Sequence, residues 1–136
     1  MSSSLPTIIL GIFFVLHALV HLLYAGQTMR FFELRPGMLW PDGAWLFSRL
    51  LGSELIRLLA AISLALTALG YAAGGLGLFL RQEWWHPAAV GAAIVSSLIY
   101  ILLWDGKLQD LPEKGGVGIL INLAILAVIL GLKWPA

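Results

Sequence analysis

The chain has 136 residues, of which 60% are hydrophobic and only 11% are charged, and its formal net charge is +1. Soluble domains carry about a quarter charged residues, so this composition, with a mean hydropathy of +0.95, predicts an integral membrane protein. The small net charge gives no electrostatic basis for binding nucleic acid, and the lack of cysteine excludes disulfides, iron–sulfur clusters, thiolate catalysis and cysteine-based zinc sites.

Four segments are apolar over the roughly 20 residues that a membrane-spanning helix needs. We expect spans at about 6–26, 54–73, 87–104 and 117–132, which leave no room for a soluble domain. The sequence therefore predicts an all-α membrane protein, with four transmembrane helices in one bundle that covers residues 1–136. The residues before the first span lack the basic character of a signal peptide, so we expect this span to be retained.

The first span carries two histidines, His17 and His21, with Tyr24 one turn further on. Residues three or four apart share one face of a helix, so these three side chains form a stripe. An imidazole in hydrocarbon is costly. We therefore expect both rings to face the interior of the bundle and to have polar partners there.

The connection between the first two spans is too long for a simple turn and contains two turn signals, Arg35-Pro36-Gly37 and Trp40-Pro41-Asp42-Gly43. After them, the mostly apolar segment 44–51 predicts a short interfacial helix that covers one end of the bundle. The second connection is rich in glycine. Its Gly70-x-x-x-Gly74 matches a helix-packing motif, and a flexible turn is an equal alternative. The third connection, 105–116, is polar.

Lysine and arginine are unevenly distributed between the two ends of the bundle. Six lie on the side of the first and third connections, and two, Arg81 and Lys133, lie on the opposite side. Cytoplasmic loops carry the excess of basic residues, which predicts a cytoplasmic first connection and both termini outside. We expect a multi-pass protein of the bacterial inner (plasma) membrane.

Each span contributes at least one strongly polar side chain at a similar depth, in the half of the membrane next to the first and third connections. We expect these side chains to line a polar pocket that opens toward the cytoplasm and binds a ligand. The predicted ligand-binding residues are His17, His21, Tyr24, Glu54, Arg57, Tyr100, Asp105 and Asn122. The other half offers only hydroxyls that can bond to their own helix. These belong to Ser63, Thr67, Ser96 and Ser97.

Each of these residues also has a purely structural explanation. Glu54 and Arg57 can pair with each other at the start of a helix, where an acid suits the positive end of the helix dipole. Asp105 can end the third span, and Asn122 can form a single interhelical hydrogen bond. The two tyrosines can anchor their helices at the membrane interface.

Three kinds of ligand are open to the histidine pair. The i, i+4 spacing of His17 and His21 suits a metal ion, but a third ligand would have to come from Glu54 or Asp105. Haem needs axial ligands on both faces, which two histidines one turn apart cannot supply without a homodimer or a partner subunit. A quinone or lipid head group requires only a histidine or tyrosine donor, a charged or amide group nearby, and an apolar cleft for the tail.

Several motifs resemble those of small bacterial membrane proteins. The size, the four spans and Leu10-Gly11-Ile12-Phe13-Phe14 are similar to the DoxX-like group, whose members usually carry a basic residue where this chain has Ser2-Ser3-Ser4. This resemblance implies an accessory or partner role in a quinone-linked redox system. A second likeness, to an uncharacterised bacterial membrane family, implies no function. It rests on His17-x-x-x-His21-Leu22-Leu23-Tyr24, Trp40-Pro41-Asp42-Gly43, Trp104-Asp105-Gly106 and Gly118-Ile119-Leu120-Ile121-Asn122.

The leading hypothesis is therefore a four-helix membrane protein whose cytoplasmic-side pocket binds a quinone or lipid, acting as an accessory subunit of a larger membrane complex. Two alternatives stay open. One is a small transporter or channel that works as a dimer with the histidines as proton relays, and the other is a purely structural subunit. No serine lies beside a histidine in a hydrolase motif, and we predict no catalytic residue.

Overall fold

The computed structural model describes residues 4–135, with the backbone alone at positions 4 and 48. Its helices are α1 (Ser4–Thr28), α2 (Ser48–Leu51), α3 (Ser53–Phe79), α4 (Trp85–Leu102) and α5 (Val117–Leu126). A π-helical turn, Ala127–Gly131, continues α5 at its end, and the turn Pro112–Gly116 before α5 is kinked at Gly115, whose φ is 108°. The described residues contain four helical segments that are long and apolar enough to cross a membrane. The short α2 lies between the first and second, and the predicted all-α fold is confirmed.

Helix α3 is longer than the sequence predicts. Its glycine-rich stretch, which suggested a connection, is helical, and the helix ends at Phe79 rather than near residue 73. A Cβ added at Gly75 would lie 2.9 Å from the carbonyl oxygen of Gly11 in α1, and one added at Gly74 would lie 3.2 Å from the Cβ of Ala89 in α4. Because these glycines let three helices approach closely, packing favours the helix over the turn.

Two apolar clusters fill the bundle, one toward each end. The cluster at the end where α1 begins includes Leu10, Phe14, Ala18, Ala68, Ala92, Ile125 and Ile129. The cluster at the end where α3 begins includes Trp40, Ile56, Ala60, Leu64, Ile99 and Leu103. The buried polar side chains that lie between the two clusters, near the middle of the membrane-spanning segments, are His17, His21, Ser96 and Asn122.

The connection between α1 and α3, residues 29–52, folds over one end of the bundle and is called the cap below. Gln27 is fully buried beneath it, donates its Nε2 to the Met38 carbonyl at 3.1 Å and accepts a backbone N–H of the cap through its oxygen. Trp45 donates its indole N–H to a carbonyl at the end of α4, at 2.8 Å. Within the segment 44–51, where the sequence predicts a helix, only α2 is helical.

Asp42 is the charged anchor of the cap. Arg57 in the second turn of α3 donates to both of its carboxylate oxygens, at 2.8 and 2.5 Å, and Arg30 lies 3.0 Å away. Burial raises the pKa of Asp42, but the hydrogen bonds and positive charges of the two arginines outweigh it and lower the pKa overall. The local pair that the sequence allowed is not formed, since Glu54 is exposed and has no salt bridge with any described residue.

Candidate functional site

A buried hydrogen-bond network joins α1, α3, α4 and α5 in the middle of the bundle. His17 Nε2 lies 3.1 Å from Asn122 Oδ1, and the Tyr71 hydroxyl donates to the same oxygen at 2.6 Å. The Asn122 amide nitrogen donates to the Ser96 hydroxyl at 2.9 Å, and this hydroxyl lies 2.6 Å from His21 Nε2. None of the five side chains is more than 4% exposed. We call these five residues the polar network.

Groups that can only accept fix the direction of each hydrogen bond. His21 Nδ1 lies 2.9 Å from the His17 carbonyl oxygen, so it must donate, and His21 Nε2 is left to accept from the Ser96 hydroxyl. Ser96 in turn accepts from the amide nitrogen of Asn122. The amide oxygen accepts from both Tyr71 and the Nε2–H of His17. This pattern of hydrogen bonds corresponds to a neutral His21 with its proton on Nδ1.

The polar network lies deeper than the predicted pocket. His17 is near the midpoint of α1, and Asn122 is near the midpoint of the fourth membrane-spanning segment, Pro112–Gly131. Tyr71 lies in the half of α3 that is farther from the cap. None of the five side chains lines any of the clefts described below. The network is thus a packed interior feature that crosses the middle of the bundle.

Two of the predicted site residues, both tyrosines, lie beside the polar network on the side of the cap. The Tyr24 hydroxyl donates to the Glu113 carbonyl at 2.9 Å. The Tyr100 ring packs between those of His21 and Tyr24, with centroid distances of 6.0 and 5.6 Å. The structure therefore brings five of the eight predicted residues together, namely His17, His21, Asn122, Tyr24 and Tyr100. The other three predicted residues lie outside this group; they are Glu54, Arg57 and Asp105.

Sequence reasoning missed two members of the polar network. Tyr71 is a single aromatic residue in a stretch of small residues, and its signal is the three-to-four-residue spacing of the buried face of α3. The Ser96 hydroxyl is one of four that, by the sequence, can bond to their own helix. That expectation is correct for Thr67 and Ser97, whose hydroxyls donate to carbonyls four residues earlier, and it is wrong for Ser96.

A cleft of about 310 Å³ lies between the end of α4 and the start of the fourth membrane-spanning segment, next to the cap. Its lining is apolar apart from Tyr100, Lys114 and the indole of Trp104. Lys114 Nζ lies 2.8 Å from the Asp105 carboxylate. Burial raises the pKa of Asp105, but the hydrogen bonds and charges of Lys114 and Lys107 lower it overall, so the carboxylate is ionised at neutral pH.

Tyr100 is the polar side chain that stands out in this cleft. It is only 2% exposed, yet its hydroxyl has no hydrogen-bond partner among the residues that the structure describes. Its ring lies against two glycines of the fourth segment. A Cβ at Gly118 would lie 2.9 Å from the ring, and Gly115 has a φ of 108°, which favours glycine. The hydroxyl is not one of the fully buried unpaired polar atoms, so it reaches the surface of the cleft and can donate to an acceptor that enters there.

The described residues hold no group of three or more His, Cys, Asp or Glu side chains placed to bind a metal ion. Neither acid that could have completed a metal site with the histidines lies in the polar network. Glu54 is exposed, and Asp105 is paired with Lys114. The groups at the cleft, a hydroxyl and an ammonium, are suited instead to donating hydrogen bonds to oxygen.

These features define a multi-pass protein of four apolar helices, as expected of an integral membrane protein. Comparison of the chain with family models, with curated proteins and with solved structures found no match. Its function is therefore inferred from the geometry of its own residues.

Proposed function

We propose that this protein binds a small amphipathic membrane molecule, a quinone or a lipid, in the cleft between α4 and the fourth membrane-spanning segment. The observation that carries the proposal is the hydroxyl of Tyr100, which reaches the cleft and is unpaired among the described residues. A quinone carbonyl or a lipid ester or phosphate oxygen is the acceptor it lacks.

The shape and lining of the cleft support this class of ligand. Its volume of about 310 Å³ is at the lower end of the range for ligand pockets, which suits a ring or head group rather than a whole lipid. Ile101, Leu111 and Ile119 provide apolar walls along which a tail can continue into the bilayer. Lys114 supplies a second donor and a positive charge, held in place by Asp105.

The polar network has a supporting role in this proposal. It ties all four long helices to one another immediately behind Tyr100, whose ring packs against His21. Fixed helices give the cleft fixed walls, and a pre-formed site binds its ligand with less loss of conformational entropy. On the distribution of basic residues we also propose that the cap faces the cytoplasm of a bacterium, with both termini outside. On the resemblance of Leu10-Gly11-Ile12-Phe13-Phe14 to the DoxX-like group, we propose that the protein serves as an accessory subunit of a redox complex.

The hydrogen-bond directions do not favour a proton-linked transporter. A proton relay needs groups that can accept a proton on one side and release one on the other. Here two donors converge on the amide oxygen of Asn122, and the other branch ends at the backbone carbonyl of His17. Neither an amide nor a backbone carbonyl passes protons on readily.

The proposal is tested by titrating the purified full chain in mild detergent with a short-chain benzoquinone, following the quenching of tryptophan fluorescence. Tyr100→Phe removes only the hydroxyl, and we expect it to weaken binding about five- to tenfold, the effect of one hydrogen bond. Tyr24→Phe is the matched control, because its hydroxyl bonds to the Glu113 carbonyl and it does not line the cleft. Equal affinities for all three proteins would overturn the quinone proposal.

A parallel extraction of the purified protein with organic solvent separates the two ligand sources. A co-purified quinone or a defined lipid that is lost in Tyr100→Phe supports the cleft and names its occupant. An absorbance spectrum with a Soret band would instead indicate haem and would contradict the proposal. Retention of the same molecules by wild type and Tyr100→Phe would place the ligand elsewhere.

A further inference from the structure

We propose a second binding site, for the head group of an anionic phospholipid, at the opposite end of the bundle from the cap. A groove of about 300 Å³ lies there between the start of α4 and the end of the fourth membrane-spanning segment. Its lining combines two tryptophans, Trp85 and Trp134, with two basic side chains, His86 and Lys133. This site is independent of the cleft at Tyr100 and would exist whatever that cleft binds.

The charge of the groove identifies its occupant. Lys133 and His86 are exposed, and neither side chain has a salt bridge or hydrogen bond with any described residue. No acidic side chain lines the groove. An ammonium and an imidazole N–H that share a groove with no acidic side chain among its described lining residues are complementary to a phosphate. A lysine near an anionic lipid surface contributes about fivefold in affinity.

The aromatic and apolar lining favours a lipid over a free ion. Tryptophan is enriched where hydrocarbon meets the head groups, because its ring is apolar and its N–H is polar. Ile129, on the groove floor, belongs to the apolar core, and both tryptophans pack against that core. A phospholipid whose phosphate lies at His86 would therefore have its acyl chains beside an apolar wall.

The backbone after the fourth segment is shaped to complete the groove. Lys133 has a φ of 53°, in the left-handed region that residues other than glycine seldom adopt. This conformation turns the chain back, so that the Trp134 N–H donates to the Val128 carbonyl at 3.1 Å. The turn carries the Lys133 side chain and the Trp134 ring into the same groove as His86.

The test measures binding of short-chain phosphatidylglycerol and phosphatidylcholine to the full chain in detergent, by native mass spectrometry. We expect at least a fivefold preference for phosphatidylglycerol, reduced about fivefold by Lys133→Gln. Arg81→Gln is the matched control, since Arg81 is an exposed basic residue on the same side of the protein but outside the groove. We expect it to leave the preference unchanged.

Three outcomes would overturn the proposal. An equal loss in Arg81→Gln would mean that the attraction is a diffuse surface charge. Equal binding of the two lipids would mean that the groove does not prefer an anionic head group to a zwitterionic one. Displacement of phosphatidylglycerol by an equal concentration of inorganic phosphate would indicate a free-ion site. Tyr100→Phe should retain the full preference, which keeps this result separate from the cleft near the cap.

Discussion

His17 and Asn122 are 105 positions apart in the chain, yet His17 Nε2 lies 3.1 Å from Asn122 Oδ1 in the centre of the bundle. The same amide oxygen accepts from Tyr71, and the amide nitrogen donates to Ser96. A single side chain on α5 therefore contacts three other helices. Since an unpaired polar group in hydrocarbon is costly, the helices are held in the one register in which all of these partners meet.

Replacing the amide should loosen the bundle. We expect Asn122→Leu to lower the free energy of unfolding by about 2 kcal/mol, because three interhelical hydrogen bonds of about 0.6 kcal/mol each are lost. Tyr71→Phe removes one of them and should cost about 0.6 kcal/mol. Both values can be measured by titrating the protein from mild detergent into sodium dodecyl sulfate and following helicity by circular dichroism.

Ser97→Ala is the control for this experiment, because the Ser97 hydroxyl donates only to the Ala93 carbonyl of its own helix, at 2.9 Å. We expect a change smaller than about 0.5 kcal/mol. If Ser97→Ala were as harmful as Asn122→Leu, the polar network would not be what joins the helices.

The spans and part of the polar network could be predicted from the sequence for the same reason. The thickness of a bilayer fixes the length of an apolar helix, and hydrocarbon forbids an unpaired imidazole. His17, His21 and Asn122 therefore had to find partners at a shared depth. Tyr71 could not be found in this way, because a tyrosine fits an apolar helix on any face and only packing decides which face is buried.

The salt-bridge partner of Arg57 could not be predicted from the sequence, for a different reason. Glu54, three residues away, is the partner that the local sequence suggests. The observed partner, Asp42, belongs to the cap. The path of the cap depends on contacts distant in sequence, such as the bond between Gln27 and the Met38 carbonyl. Similarly, glycines favour turns when they are considered alone. The close approach of α1 and α4 explains why they are helical in α3.

Gly75 should be among the residues of α3 most sensitive to added volume. A Cβ there would lie 2.9 Å from the carbonyl oxygen of Gly11, a backbone atom that cannot rotate away. We expect Gly75→Ala to lower the free energy of unfolding by about 1–3 kcal/mol, measured by the same detergent titration. Gly91→Ala is the matched control, because a Cβ at Gly91 would meet no atom within 4 Å. It should be neutral or stabilise α4 by up to about 1 kcal/mol, and a loss there equal to that at Gly75 would contradict the close approach.

The cap should loosen in acid. The pKa of Asp42 in the folded protein is below its ordinary value of 3.8. The stabilisation from its arginine pairs is therefore fully present above about pH 4 and is lost as the pH falls through the lowered pKa. Pepsin, which works in this range, should cleave the cap faster as the pH is lowered toward 2, while the four long helices stay intact.

Asp42→Asn should produce the loosened cap already at neutral pH, as measured by trypsin cleavage after Arg49, an exposed basic residue of the cap. The control is Asp110→Asn, which breaks the pair between Asp110 and Arg35. Those side chains are 36% and 45% exposed, and such surface pairs contribute less than about 1 kcal/mol. Faster cleavage in Asp110→Asn than in Asp42→Asn would mean that the outer pair, not Asp42, holds the cap.

Gly115 determines where the Tyr100 ring can lie in the proposed cleft, although the glycine itself contributes no polar group. A Cβ at this position would overlap the Tyr100 ring, and the φ of 108° is itself unfavourable for alanine. We expect Gly115→Ala to displace the ring, to weaken benzoquinone binding at least fivefold and to lower the free energy of unfolding by about 1–3 kcal/mol. Gly131→Ala, where a Cβ would meet no atom within 4 Å, should change neither quantity. Native affinity in a folded Gly115→Ala protein would mean that the position of Tyr100 does not determine what the cleft binds.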